Sequence, residues 1–125
     1  MKKDLIACLL TAAAASAFAQ WTPVLENEDA TFYYDPNTIR IDGYLRKVWE
    51  LQDFKRPSKN GEMSVRLRRE YDCKGERNRA LSISSHMQPM AQGGVRINEG
   101  STEGSWIEIP PDTLFDAILK LVCAK

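Results

Sequence analysis

The sequence predicts a small α+β domain, a β-rich chain closed by one C-terminal helix that lies on a sheet face. Three observations predict it. Apolar and polar residues alternate with a period of two over 64–73 and again over 80–84, the pattern of half-buried strands. Leu114, Phe115, Ile118, Leu119 and Val122 recur at helical spacing near the end of the chain. Between these and the N-terminus, short runs rich in β-branched and aromatic residues are cut by Asp-Pro-Asn, Asp-Gly and Asn-Gly turn signals.

The N-terminus stands apart. Met1-Lys2-Lys3, an apolar stretch over 5–15 and the small-residue end Ala17-Phe18-Ala19 are the three parts of a secretory signal peptide. The apolar stretch is far shorter than the roughly 20 residues that cross a bilayer as a helix, so it reads as removed. Cleavage after Ala19 is preferred to cleavage after Ala17, and it leaves residues 20–125 as a single domain. Reading Leu5-Ile6-Ala7-Cys8 as a lipobox would leave almost no apolar segment ahead of the cysteine, so lipid anchoring is not expected. The 17 basic and 17 acidic residues of the 125-residue chain balance, which gives no dominant charge for nucleic acid. No second apolar run approaches spanning length, so no transmembrane helix is expected in residues 20–125.

Along that domain, Thr31-Phe32-Tyr33-Tyr34 is followed by the breaker Asp35-Pro36-Asn37, and a strand resumes at Ile39 and Ile41. Asp42-Gly43 is a two-residue hairpin signal that would pair Ile41 with Tyr44. The strand over 44–54 is long, and its imperfect alternation fits either a bulge or cover on both faces. Residues 56–61 form the next loop. Over 64–73, Val65, Leu67, Tyr71 and Cys73 share the inward face, with Arg69 as the one misfit. Ser64, Arg66, Arg68, Glu70 and Asp72 share the other, solvent face. The turn-like Lys74-Gly75-Glu76 leads to Leu81 and Ile83, making a hairpin. The glycine-rich stretch 88–105 reads as a mobile loop around one short edge strand, and 106–109 as a last strand closed by Pro110-Pro111. Asp112 or Thr113 caps the helix, and Cys123 ends it.

Removal of Cys8 with the signal peptide leaves one cysteine pair. In an exported chain Cys73 and Cys123 read as a disulfide that staples the helix to the sheet. A loop of this size contributes about 4 kcal/mol in the chain-entropy model. His86 is the single histidine, which excludes zinc sites built on two or more histidines. A nucleophilic Cys73–His86 pair is set aside in favour of the disulfide. Glu26, Asn27, Glu28 and Asp29 lack the spacing and glycine of a calcium loop and read as a solvated turn. No catalytic, cofactor or metal motif is found, and the chain is read as non-enzymatic. A basic concentration runs through Lys55, Arg56, Lys59, Arg66, Arg68, Arg69, Lys74, Arg77 and Arg79, diluted by Glu62, Glu70, Asp72 and Glu76. Within it, Arg66 and Arg68 are the candidate contacts for a protein or polyanionic partner.

The blocks 31–40 (Thr-Phe-Tyr-Tyr-Asp-Pro-Asn-Thr-Ile-Arg), 48–54 (Val-Trp-Glu-Leu-Gln-Asp-Phe), Glu70-Tyr71-Asp72-Cys73, Leu81-Ser82-Ile83-Ser84-Ser85 and Ile109-Pro110-Pro111 resemble the surface-adhesin protein E family of Gram-negative bacteria. The resemblance covers nearly the whole of residues 20–125. It implies an antiparallel sheet of about six strands, with the C-terminal helix tethered across one face by the disulfide. It also implies homodimers and a host matrix protein as partner. The expected function is therefore an exported envelope protein, periplasmic or at the cell surface, that binds a protein or polyanion through its sheet face and loops. The alternative is a soluble periplasmic structural or accessory module whose partner is another envelope component.

Overall fold

The computed structural model describes residues 19–99 and 104–125. The expected signal peptide falls almost wholly outside the described residues. Eight strand segments, β1 (Thr22–Glu26), β2 (Ala30–Tyr34), β3 (Arg40–Asp42), β4 (Leu45–Phe54), β5 (Ser64–Asp72), β6 (Arg77–His86), β7 (Val95–Glu99) and β8 (Ile107–Glu108), precede one helix, α1 (Leu114–Cys123).

These segments occupy six lanes of one antiparallel sheet. β2 pairs with the second half of β4 and β3 with its first half, so both lie along the same edge of β4. The break between them is the 3-10 turn Pro36–Thr38, initiated by the Asp35 side chain, which accepts from the Asn37 amide at 3.0 Å. At the gap the Thr38 hydroxyl accepts the Trp49 amide at 3.0 Å, replacing the missing ladder partner. β7 and β8 likewise share the outer edge of β6: Glu99 pairs with Ile83, the Gly104 amide reaches the Ala80 carbonyl, and Ile107 pairs with Asn78. The stretch expected as a mobile loop contains the expected edge strand. Its start is pinned, because the Met90 and Ala91 amides donate to Asp53 and to the Ser64 hydroxyl. Residues 100–103 of that stretch lie outside the described residues.

One strand was not anticipated, and one expected register is corrected. The chain enters the sheet at β1, whose Pro23 and scattered polar residues hid a strand paired with β2 through a register shift. The hairpin after β3 is real but its register differs. Asp42 pairs with Leu45 and Ile41 with Arg46, so Gly43-Tyr44 is the loop. Gly43, at φ +59, takes the first central position, as a type II′ turn requires. The imperfect alternation of β4 reflects cover on both faces rather than a bulge. Its pairing with β5 is unbroken, and Val48 and Leu51, on opposite faces, are both fully buried.

Thr113 caps α1, accepting the Asp116 amide. Ile118, Leu119 and Val122 bury against Tyr34, Val48, Tyr71 and Ile109, which form the core. Cys123 at the helix end is bonded to Cys73 beside the β5–β6 turn, with Cα atoms 5.8 Å apart. The misfit Arg69 lies inside this layer. Its Nε donates to Glu50 Oε1 at 3.0 Å, its Nη1 to Asn78 at 2.9 Å, and its guanidinium lies 4.4 Å from the Phe115 ring centroid. A buried arginine is tolerated on an apolar face when every side of it is matched in this way. Among the described residues, no helix is long and apolar enough to cross a membrane.

Candidate functional site on the sheet face away from the helix

Directly paired residues of neighbouring antiparallel strands point to the same side. The register therefore sets five rows across β4, β5 and β6 on the face away from α1: Leu45–Asp72–Arg77, Lys47–Glu70–Arg79, Trp49–Arg68–Ser82, Leu51–Arg66–Ser84 and Asp53–Ser64–His86. Along β5 the face changes from acidic to basic, and the two halves behave differently.

In the acidic half, each carboxylate is matched. Arg79 holds Glu70 with Nε and Nη2 at 2.9 and 2.8 Å, and Arg77 Nε donates to Asp72 at 2.9 Å. Asp72 also accepts the Gly75 and Lys74 amides as the β5–β6 turn closes. These amides and Arg77 hold its carboxyl below the usual range, with the Gly75 amide foremost, and their pull exceeds the opposing effect of burial. Trp106, just before β8, lies against both guanidinium groups, 4.5 Å from Arg77 and 4.4 Å from Arg79. The expectation that this whole strand face meets solvent is thus corrected, since Ser64, Glu70 and Asp72 are buried by ion pairing and by the returning chain.

In the basic half, Arg66 is exposed, with its guanidinium 4.7 Å from the centroid of Trp49, its diagonal neighbour. Arg68, half-buried, sits directly across from Trp49. Neither arginine forms an ion pair among the described residues. Past them, Leu51, Ser64 and His86 are buried where the 3-10 turn Pro89–Ala91 folds over. His86 Nε2 shares a 2.8 Å hydrogen bond with the Ser84 hydroxyl, while its Nδ1 is buried without a partner among the described residues. Burial first, and the nearby Arg66 charge second, lower the imidazole pKa below its ordinary 6.5.

The basic concentration in the sequence does not form one patch. Lys55 pairs with Glu26, Arg56 with Asp29, Arg69 lies under the helix, and Arg77 and Arg79 hold acids. Arg66 and Arg68 do come together, and they share Trp49 of the neighbouring strand β4. Trp106 was missed as a surface element because a lone tryptophan before a two-residue strand carries no periodicity. Cys73 cannot serve as a nucleophile for His86, since it is bonded to Cys123 and lies at the opposite end of the β5–β6 hairpin. The Glu26-to-Asp29 turn is closed by Asn27 Oδ1, which accepts the Asp29 and Ala30 amides.

A single antiparallel sheet with a disulfide-stapled helix on one face and a charged, aromatic-studded surface on the other defines the class of this protein as a small α+β domain of one sheet and one helix. The model of the surface-adhesin protein E family matches residues 21–124, and the chain belongs to that family. Membership implies an exported, non-enzymatic adhesin. Comparison with curated proteins gives no match. Solved structures of Haemophilus influenzae protein E share the fold. The selenomethionine form has a TM-score of 0.69 at 15% identity over 87% of this chain and 89% of that one. Crystal form II has a TM-score of 0.66 at 14% identity over 87% and 91%. Protein E from non-typeable Haemophilus influenzae has a TM-score of 0.61 at 15% identity over 88% and 79%.

Proposed function

We propose that the chain is exported by a signal peptide over 1–19, works in the cell envelope, and holds an anionic protein segment or polyanion of the host matrix against Trp49, Arg66 and Arg68. The observation that carries this reading is the state of Arg66: exposed, stacked on Trp49 and without an acidic partner among the described residues. A guanidinium resting on an aromatic ring has part of its rotational freedom already spent. It still presents its N–H groups to a carboxylate or sulfate. Arg68 across from the same ring adds a second cation at a fixed strand spacing. Elsewhere on this face Arg77 and Arg79 are occupied by Asp72 and Glu70, which leaves Arg66 and Arg68 as the arginines of the face that an incoming anion can reach without displacing a carboxylate.

The test is binding of heparin and of immobilised matrix protein by the oxidised chain, with the Arg66→Ala, Arg68→Ala double variant alongside. Loss of two phosphate-like or sulfate-like contacts predicts at least about tenfold weaker binding and a shallower salt dependence. Unchanged binding removes this assignment. Protease shaving of intact cells then separates a surface-exposed protein, which is cut, from a periplasmic one, which is protected.

A further inference from the structure

A groove of about 620 Å³ lies at the other end of the sheet, between the β3–β4 loop and β8, over the β5–β6 turn. Tyr44 and Trp106 contribute its rings, Lys74, Arg77 and Glu108 its charges, and Asp72 its floor. Its volume falls within the roughly 300–1,000 Å³ typical of ligand sites. We propose that this groove binds an uncharged pyranose oligosaccharide.

Two features point to such a ligand. First, the rings are held in place rather than buried in the core. Tyr44 occupies the loop of a two-residue hairpin, where glycine, asparagine and aspartate are usual, and is 63% exposed. Packing of the fold does not demand an aromatic there. Lys74 nonetheless lies 5.0 Å from its ring centroid, and the Cys73 amide donates to its carbonyl. Trp106 is fixed by Arg77 and Arg79. The Cys73–Cys123 bond adjoins the floor and anchors the turn. A preformed site of this kind binds with little ordering cost.

Second, the charges balance. Lys74 and Arg77 face Asp72 and Glu108, and Asp72 is already satisfied by Arg77 and two backbone amides. Such a lining offers no net attraction to a polyanion, unlike the Arg66 face, and its ionic floor disfavours a wholly apolar ligand. A pyranose ring presents the matching surfaces. Its C–H face packs on an aromatic ring, and its vicinal hydroxyls donate to a carboxylate and accept from ammonium or guanidinium groups. The site is separate from the basic half of the face, and its fate does not depend on the Arg66 assignment.

The experiment is NMR titration of the oxidised, isotope-labelled chain with chitohexaose and cellohexaose as uncharged probes and a heparin hexasaccharide as the anionic one. Saturable shifts of the Trp106 indole and of the Lys74 and Gly75 amides with an uncharged probe are expected. Affinity should weaken by about tenfold or more in Tyr44→Ser and Trp106→Ala, and persist in the Arg66→Ala, Arg68→Ala variant. Tyr44→Ser changes an exposed loop residue, so it remains informative if Trp106→Ala fails to fold. Absence of shifts with both uncharged probes at millimolar concentration overturns the proposal. So does a response at these residues to the heparin fragment alone, or binding that Tyr44→Ser leaves intact.

Discussion

Arg69 Nε donates to Glu50 Oε1 at 3.0 Å in the layer between sheet and helix, where both side chains are almost entirely withdrawn from water. Tyr71 donates its hydroxyl to the other oxygen of the same carboxylate, and Asn78 accepts from Arg69. Burial pushes the Glu50 carboxyl above the usual carboxylate range, and Arg69 and Tyr71 pull part of the way back. Removing one partner strands a buried charge. Arg69→Met should therefore cost about 3–5 kcal/mol in urea unfolding, and adding Glu50→Leu should recover a substantial part of that loss. Additive losses in the double variant would show that the two groups do not act as a pair.

The same carboxylate governs alkaline stability. Burial, with the Glu50 charge, raises the Tyr71 pKa well above its ordinary value of 10.0. The folded chain keeps a proton that the unfolded chain releases, so the stability contributed by this group is present below about pH 10 and is lost as pH rises beyond it. Tyr71→Phe should flatten that alkaline fall and lower neutral stability by about 1.5–3 kcal/mol, the range for a hydrogen bond to a charged group. Unfolding midpoints followed from neutral pH to about pH 11 check both parts.

Much of this architecture was legible in the sequence because most of it is local. Period two marked β5 and the heart of β6, helical spacing with a cap at Asp112 or Thr113 marked α1, and the expected removal of Cys8 with a signal peptide singled out the cysteine pair. What was not legible depends on registry between distant segments. Arg69 looks misplaced until β4 brings Glu50, and α1 brings Phe115, to its sides. The Asp42-Gly43 signal identified a hairpin but not its register, because glycine alone satisfies the positive φ and the pair slides by one position. Arg66 and Arg68 were legible as neighbours on one strand face. Their shared Trp49 comes from β4 and Trp106 from the residues just before β8, so no window of sequence contains the site.

Thr38 carries the interruption between β2 and β3. Its hydroxyl accepts the Trp49 amide at 3.0 Å and donates to the Asp35 carbonyl at 2.8 Å. Thr38→Val keeps the shape and removes both bonds, leaving a half-buried amide without its acceptor. A loss of about 1–3 kcal/mol is expected, with faster hydrogen exchange at the Trp49 amide than in the parent. Unchanged exchange there would mean that the ladder closes without the hydroxyl.

The disulfide bridges residues 50 positions apart and fastens the last turn of α1 to the sheet. In the Cys73→Ala, Cys123→Ala variant the unfolded chain regains the entropy of that loop, a loss of about 4 kcal/mol, which for a domain of this size lowers Tm by on the order of 20 °C. The helix should loosen first, since only one face of it is buried. Circular dichroism with and without reductant, compared with the variant, reads the effect; a reductant-insensitive Tm in the parent would contradict it.

His86 offers a direct readout of the basic half of the face, because it is the chain's single histidine and lies in the row next to Arg66. Its folded pKa is lowered below 6.5, chiefly by burial and then by the Arg66 charge. In the window below 6.5 the unfolded chain binds a proton that the folded chain refuses, so the stability that neutral His86 contributes is fully present above 6.5 and is lost as pH falls towards the folded pKa. Arg66→Ala should raise the imidazole pKa without restoring it fully, since the larger cause, burial, remains. An anion docked on Arg66 should act in the same direction by offsetting that charge, and reciprocity then requires heparin binding to strengthen as pH falls through the His86 titration. The imidazole titration followed by NMR, with and without heparin and in parent and Arg66→Ala chains, tests these linked shifts. A heparin-induced rise that survives in Arg66→Ala would place the anion away from Arg66.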